Sequence, residues 1–269
     1  MTAQRVVPGP DGTRFSSITH VVETGSTNAD LLVEAADGAA EGTVRVADHQ
    51  SAGRGRQARV WHDEPGNSML MSVLLRPTPS LAPLIPLLAG LAVGDGIAAT
   101  VGALDSDAPP VALKWPNDVL VPSMGERKLA GVLAEATAEG SPDGRLAVVV
   151  GTGLNLRWGT PPPPDIAQRA ATLEELAGEP VERWRVVAAV LSGFEHWLTV
   201  AERQGDDGGI DAVLDMYRGR CCTLDRAIRL QRPADVIEGI AVAIADSGAL
   251  VVDTVDGLVE VTAGDTHHL

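Results

Sequence analysis

The segment SAGRGRQARVW, residues 51–61, places Arg54, Arg56 and Arg59 among glycine and alanine, with no acidic residue between them. Such a sequence forms helices and strands poorly, so it predicts a loop. A guanidinium group makes strong, charge-assisted hydrogen bonds to phosphate and carboxylate oxygens. The segment therefore predicts a mobile, cationic loop that binds a small anion.

The energy needed to order this loop indicates when it closes. Fixing about ten flexible residues costs on the order of 10 kcal/mol, at ~1 kcal/mol or more each. Each charge-assisted bond from arginine to phosphate returns roughly 1.5 to 3 kcal/mol. Three such bonds and stacking of Trp61 about balance that cost, so we expect the loop to be ordered only over a phosphate-bearing ligand. A solvent-exposed basic turn is the alternative.

Two common nucleotide-binding motifs are excluded. The stretch GRGRQA matches the pattern G-x-G-x-x-A of dinucleotide-binding folds, which requires an amphipathic helix after the glycines. Here Pro65 and Gly66 interrupt the following sequence. A Walker A loop needs a Gly-Lys pair, which the chain does not contain.

Lysine is rare in this chain, because only Lys114 and Lys128 occur among its 21 basic residues. Lysine offers a compact ammonium on a flexible stem, which suits a charge that moves during a reaction. A general preference for arginine would also leave few lysines. Both lysines, however, lie in distinctive stretches, KWPND at 114–118 and RKLAG at 127–131. We therefore expect both to have functional roles.

The chain is acidic, with 36 Asp and Glu residues and a formal net charge of -15. Binding to nucleic acid or to an anionic membrane needs an excess of basic side chains on one face, so we expect neither partner. The adjacent Cys221 and Cys222 give no disulfide framework, and no Cys or His cluster has the spacing of a metal site. A reducing cytoplasm is the expected location, and the metal ligands are left unassigned.

The elements around these motifs predict an α+β protein with a mixed sheet. Strands are predicted at 16–24 and 43–50, with a helix between them that Ser26 or Thr27 caps. A further strand at 67–76 precedes a helix that starts at Leu81, whose apolar run contains Pro83, Pro86, Gly94 and Asp95 and is therefore interpreted as buried rather than membrane-spanning. The KWPND and RKLAG stretches lie in strands joined by short turns, which favour antiparallel pairing.

The predicted secondary structure changes twice in the second half of the chain. After the prolines at 161–164 the pattern is helical, with a long helix from Val181 to about Arg203. From Cys221 onward, β-branched runs alternate with turn dipeptides, which predicts a small barrel or sandwich. We expect a catalytic domain at residues 1–217 and a C-terminal β domain at 218–269.

Five motifs occur in a fixed order: STN at 26–28, QSAGRGRQARVW at 50–61, KWPND, RKLAG, and GTGLN at 151–155. With this ordered set the chain resembles the biotin protein ligases, from about residue 16 to its end. The resemblance implies a mixed β-sheet with flanking helices, related to class II synthetases, and a small C-terminal SH3-like barrel.

The resemblance also implies two half-reactions. ATP and biotin, with Mg2+, give biotinyl-5′-AMP and pyrophosphate; a lysine of a biotin carboxyl carrier domain of a biotin-dependent carboxylase then attacks this mixed anhydride. Some members carry an N-terminal DNA-binding domain. Only 25 residues precede Ser26, so we expect a monofunctional ligase that does not bind DNA.

The site residues follow from the same resemblance. Lys128, Arg54 and Asp118 are expected to be catalytic, with Lys128 between the biotin carboxylate and the α-phosphate and Asp118 orienting or deprotonating the acceptor amine. An Asx turn is the alternative role for Asp118. The residues expected to bind biotin are Ser26, Thr27, Gln50, Gly53, Arg54, Lys128, Gly131 and Gly151. Those expected to bind ATP are Arg56, Arg59, Trp61, Asn117, Lys128 and Asn155.

Two other functions stay open. A lipoyl or octanoyl protein ligase shares the fold, but that family shows a glycine triplet with a nearby histidine, and no Gly-Gly-Gly occurs here. A non-enzymatic biotin sensor would need the pocket but not Lys128 and Asp118. Lys114 is assigned to phosphate binding or to support of the turn, and His49 and His62 flank the loop without an assigned role.

Overall fold

The computed structural model describes residues 4–102, 110–138, 145–203 and 208–269. The described residues form an eight-stranded sheet in the order β1-β2-β3-β4-β8-β7-β6-β5. Its strands are β1 (Gln4–Pro8), β2 (Ser17–Thr24), β3 (Val44–Gln50), β4 (Ser68–Leu75), β5 (Ala112–Lys114), β6 (Asp118–Val121), β7 (Arg127–Thr137) and β8 (Ala147–Asn155).

The strand directions confirm a mixed sheet. Strands β2 and β3 pair in parallel and are joined by helix α1 (Thr27–Ala36), whereas every other neighbouring pair in the described sheet is antiparallel. The hydroxyl of Ser26 accepts a hydrogen bond from the Ala29 amide and caps α1, as the sequence predicts. Strand β1 was not predicted, because it is a short edge strand without clear alternation.

Helices cover the sheet, and two of them pack unusually closely. The helices after α1 are α2 (Ile85–Thr100), α3 (Pro164–Ala167), α4 (Leu173–Ala177), α5 (Arg183–Ala201) and α6 (Gly209–Arg220). A Cβ on Gly96 of α2 would lie 2.6 Å from a Val190 methyl, and one on Gly193 of α5 would lie 2.5 Å from the Ala92 carbonyl. These glycines therefore allow the two helix backbones to approach.

The apolar run that contains α2 is buried. Within the described chain, Ala82–Thr100 is long and apolar enough to cross a membrane, but most of it lies inside the protein. Thirteen of the sixteen α2 residues are buried, so apolar side chains are needed on nearly all sides of the helix. The prediction of a buried core helix is confirmed.

A second, five-stranded antiparallel sheet forms the end of the chain, in the order β12-β11-β10-β9-β13. Its strands are β9 (Arg226–Gln231), β10 (Val236–Ile244), β11 (Leu250–Thr254), β12 (Gly257–Val261) and β13 (Asp265–His268). The predicted β-rich C-terminal region is confirmed. The domain boundary predicted after residue 217 falls in the last turn of α6, which ends at Arg220, and the two-domain division stays a proposal.

The C-terminal sheet packs against the β5–β6 end of the larger sheet. Trp115, which is 2% exposed, donates from its indole to the Gly248 carbonyl at 3.1 Å, and its amide donates to the Thr223 hydroxyl at 3.0 Å. Arg226 of β9 forms an ion pair with Glu126 at 2.5 Å. The KWPND turn is therefore held directly beneath the C-terminal sheet.

Candidate active site

A cavity of about 150 Å³ opens where the arginine loop, the larger sheet and the C-terminal sheet meet. It collects side chains from the start of α1, the end of β3, the β5–β6 turn and strands β7 and β8. The residues expected to be catalytic or to bind biotin or ATP line this cavity, except Gly53 and Asn155: Ser26, Thr27, Gln50, Arg54, Arg56, Arg59, Trp61, Asn117, Asp118, Lys128, Gly131 and Gly151.

Three glycines leave the sheet without side chains beneath the cavity. Gly151 and Gly153 are two positions apart on β8, and Gly153 pairs with Gly131 of β7, so all three face the same side of the sheet. A Cβ on Gly151 would lie 2.2 Å from the Asn28 carboxamide, and one on Gly153 would lie 2.5 Å from the Trp61 ring. Glycine at these positions lets Asn28 and Trp61 lie directly on the sheet.

The floor of the cavity is a network of neutral, buried polar groups. The Gln50 side-chain oxygen accepts from the Thr27 amide at 2.8 Å and from the Thr27 hydroxyl at 3.0 Å. The Ser72 hydroxyl lies 2.7 Å from the Thr27 hydroxyl and 2.6 Å from the Asn28 side-chain oxygen. Thr27, Asn28 and Ser72 are at most 4% exposed, so these bonds hold the floor in one arrangement.

The network ends on a carboxylate that no sequence motif predicts. The Asn28 amide nitrogen donates to the Leu133 carbonyl at 3.1 Å and to Glu135 at 2.9 Å. Arg54 of the loop donates to the same Glu135 oxygen at 2.8 Å. Ser72 and Glu135 belong to no predicted motif, although an acid within the apolar strand KLAGVLAEAT was a visible signal.

The arginine loop has a definite conformation in this structure. Gly55 donates to the Arg59 carbonyl at 2.7 Å and Trp61 donates to the Gly53 carbonyl at 3.0 Å, which closes a narrow hairpin. Gln57 at its tip has φ of 54°, in the left-handed region. The expectation that a phosphate-bearing ligand is needed to order the loop stays a prediction.

Two loop arginines reach the C-terminal sheet. Arg56 donates to the Asn117 side-chain oxygen at 3.1 Å and to the Gly264 carbonyl at 3.2 Å. Arg59 forms an ion pair with Asp265, at the start of β13. Burial acts to raise the pKa of Asp265, but hydrogen bonds from Arg59 and the nearby positive charges, that of Arg59 first, together outweigh it, so the pKa lies below its ordinary value. The C-terminal sheet thus closes the mouth of the cavity.

Trp61 forms one wall of the cavity. Its ring lies against Gly131 and Gly153, and the Lys128 ammonium is 5.6 Å from the ring centroid. The indole nitrogen is buried and meets no hydrogen-bond partner among the residues that the structure describes. The stacking of Trp61 on adenine stays a prediction.

Lys128 and Asp118 lie side by side in the lining of the cavity. Asp118 pairs with Gly131, and the Lys128 nitrogen lies 3.0 Å from where a Cβ on Gly131 would stand, so ammonium and carboxylate meet at 2.6 Å. Asn117 secures the preceding turn, since its amide nitrogen donates to the Val132 carbonyl at 2.9 Å. This arrangement places a cation and a potential proton acceptor next to one another.

Four other candidates lie outside the cavity lining. Asn155 donates to the Ala171 carbonyl at 3.1 Å and to that of Lys128 at 3.5 Å, so it supports the Lys128 backbone. Gly53 is buried where a Cβ would meet the Trp61 carbonyl at 2.6 Å. His49 pairs with Asp63 at 2.9 Å, and Lys114 is half-buried in the β5–β6 hairpin.

No group of three His, Cys, Asp or Glu side chains converges as a metal site within the described ranges. Nucleotide-bound magnesium is usually held by one or two carboxylates together with phosphate oxygens. Asp118 and Asp265 both line the cavity, so the donor set fits an ion that arrives with a nucleotide.

Comparisons with known proteins agree with this geometry. Residues 24–155 match the model of the biotin/lipoate A/B protein ligase family, and residues 223–268 match that of the biotin protein ligase C-terminal domain. The biotin–[acetyl-CoA-carboxylase] ligase of Mycobacterium tuberculosis is 36% identical over 265 residues, which cover 96% of this chain and 91% of the relative. The bifunctional ligase/repressor BirA of Bacillus subtilis is 34% identical over 230 residues, and the match covers 84% of this chain and 66% of that protein.

A solved structure shows the same fold along nearly the whole chain. The biotin protein ligase from Aquifex aeolicus in complex with biotin and ATP superposes with a TM-score of 0.74 and 26% identity, covering 94% of this chain and 98% of that one. The ordered motifs, the mixed sheet with its C-terminal β domain, and the extent of the similarity lead to one conclusion. The chain belongs to the biotin protein ligase family.

Proposed function

We propose that this protein is an ATP-dependent, AMP-forming biotin protein ligase. The observation that carries the proposal is the cavity itself, in which Lys128 and three loop arginines face a neutral floor of hydroxyl and amide groups. The Aquifex aeolicus relative holds biotin and ATP, and the Mycobacterium tuberculosis relative is named for ligating biotin to acetyl-CoA carboxylase.

In the first half-reaction, a biotin carboxylate oxygen attacks the α-phosphorus of ATP and pyrophosphate leaves. Both reactants are anions, so the step needs fixed positive charge around the transferring group. Lys128 supplies that charge between carboxylate and α-phosphate, and Arg56 and Arg59 bind the phosphates. The neutral floor of Thr27 and Gln50 suits an uncharged, polar ring of the acid substrate.

Magnesium fits this assignment as the ion that accompanies ATP. It would reduce the charge of the phosphates, with Asp118 or Asp265 as the nearest carboxylates of the cavity.

In the second half-reaction, a lysine amine of the carrier attacks the carbonyl carbon of biotinyl-5′-AMP and AMP leaves. That amine has a reference pKa of ~10.4 and must lose a proton to attack. Asp118 is the proposed group that orients the amine and accepts its proton. The carrier is proposed to be a biotin carboxyl carrier domain of a biotin-dependent carboxylase.

The test measures pyrophosphate release from ATP with biotin, lipoate or octanoate as the acid, followed by mass spectrometry of a carrier domain. Release that depends on biotin, with addition of one biotin to the carrier, is the expected result. Release with lipoate or octanoate alone would assign the protein to the other acids of the same family model. Binding of biotin without any release would favour a sensor.

A further inference from the structure

Arg54 occupies an unusual position for a residue that must be placed accurately. The loop hairpin fixes its backbone, but its side chain is 41% exposed, so burial does not fix the guanidinium. A free arginine side chain has a large rotamer entropy, which is lost when it binds a substrate. Some other contact must therefore hold the guanidinium at the cavity.

Glu135 provides this contact from the larger sheet. It lies on β7, where it pairs with Val149 of β8, and it faces the same side of the sheet as Gly131 and Leu133. One of its oxygens accepts from Arg54 at 2.8 Å and from Asn28 at 2.9 Å. Glu135 thus joins the exposed loop to the buried floor.

The charge of Glu135 is unexpected in a site for a carboxylic acid. A carboxylate here repels an anionic substrate and neutralises one of the few nearby cations. Its presence is understandable if Arg54 acts through the direction of its N–H groups more than through its net charge.

We propose that Glu135 is a positioning residue, which holds Arg54 against the Asn28 end of the floor and thereby sets the affinity for the acid substrate. This inference rests on the proposed function. It makes Glu135 part of the site without any contact between Glu135 and the substrate.

The substitution Glu135→Gln separates this role from a purely electrostatic one. It removes a negative charge, so electrostatics alone predicts tighter binding of biotin and a lower KM. Loss of positioning predicts the opposite, because a neutral acceptor holds arginine less firmly than a carboxylate does. We expect the KM for biotin in pyrophosphate release to rise about fivefold in Glu135→Gln and more in Glu135→Ala, with a smaller change in kcat.

A double-mutant cycle tests whether Glu135 acts through Arg54. In an Arg54→Ala background, Glu135→Gln should change the KM for biotin by less than about twofold. Equal effects of Glu135→Gln in both backgrounds, or a lower KM in the wild-type background, would contradict the proposal.

Glu195→Gln is the matched control. Glu195 is 23% exposed against 26% for Glu135, and it also holds an arginine, Arg14, at 3.1 Å. It lies on α5, and no described residue of α5 lines the cavity. The KM of the Glu195→Gln variant for biotin should equal that of the wild type. Thermal unfolding of all variants shows whether loss of stability explains any change in KM. Wild-type protein that releases no pyrophosphate with biotin would instead overturn the proposed function.

Discussion

The floor and the mouth of the cavity are built from different kinds of contact. The floor consists of neutral groups with almost no exposure, such as Ser72 at 0% and Thr27 at 3%. The mouth consists of ion pairs such as Arg59–Asp265, in which the arginine side chain is 61% exposed. Buried neutral networks are costly to disturb, whereas exposed ion pairs contribute only about 0 to 1 kcal/mol. The floor is therefore suited to fixed recognition, and the mouth to contacts that exchange during a reaction.

The largest effect is expected where floor and mouth meet, at Lys128. Lys128→Ala removes the charge proposed to stabilise the transferring group, so biotin-dependent pyrophosphate release should fall by about 10²-fold or more. Lys128→Arg keeps a positive charge but changes its shape, and we expect it to restore little activity. Single-turnover pyrophosphate release measures both. Activity within a few-fold of wild type in Lys128→Ala would remove this residue from the mechanism.

The next largest effect is expected in the floor. Ser72→Ala leaves the buried oxygen of Asn28 without its 2.6 Å donor, which should destabilise the protein by about 1 to 3 kcal/mol. We expect a higher KM for biotin and little change in that for ATP. Urea unfolding and substrate titrations measure the two effects, and an unchanged unfolding midpoint would show that the floor is not the rigid part of the site.

A substitution in the mouth should give the reverse pattern. Arg59→Ala should raise the KM for ATP about tenfold, since one charge-assisted bond to phosphate is lost, and should leave the KM for biotin nearly unchanged. Its effect on stability should be below about 1 kcal/mol, because the ion pair is exposed. The same substrate titrations and urea unfolding curves test this prediction. A rise in the KM for biotin alone would contradict it, because it would assign biotin binding to the mouth.

The smallest expected effect is the response to acid of the contacts between the C-terminal sheet and the rest of the protein. Hydrogen bonds from Arg226 lower the pKa of Glu126, and the pKa of Asp265 is lowered as well. A carboxyl whose pKa is lowered in the folded state stabilises the protein at pH values above its ordinary pKa. It loses that contribution as the pH falls through its pKa in the folded state. The melting temperature should therefore decrease below about pH 4, and Glu126→Gln should reduce this dependence by about 2 °C or less. If the melting temperature of Glu126→Gln depends on pH as that of the wild type does, the Arg226–Glu126 ion pair does not contribute to the loss of stability in acid.

The sequence predicted the motif residues of the site because each motif is local. Residues such as Thr27 and Lys128 lie in short stretches whose order alone identifies them, and the structure brings them to one cavity. Asp265 and Ser72 were missed because their roles depend on strands that meet only in the folded protein. Periodicity located the main helices and strands well, but it could not find β1, which is held by pairing with β2 and buries little.

The contact between Arg59 and Asp265 joins positions that are 206 residues apart in the chain. Domains fold as units during synthesis, with N-terminal regions first. The floor of the cavity can form once β8 has emerged, but the mouth has to wait for β13. A ribosome-bound chain would thus carry the floor of the substrate pocket before it has the residues that close the pocket, so completion of the active site has to follow synthesis of β13.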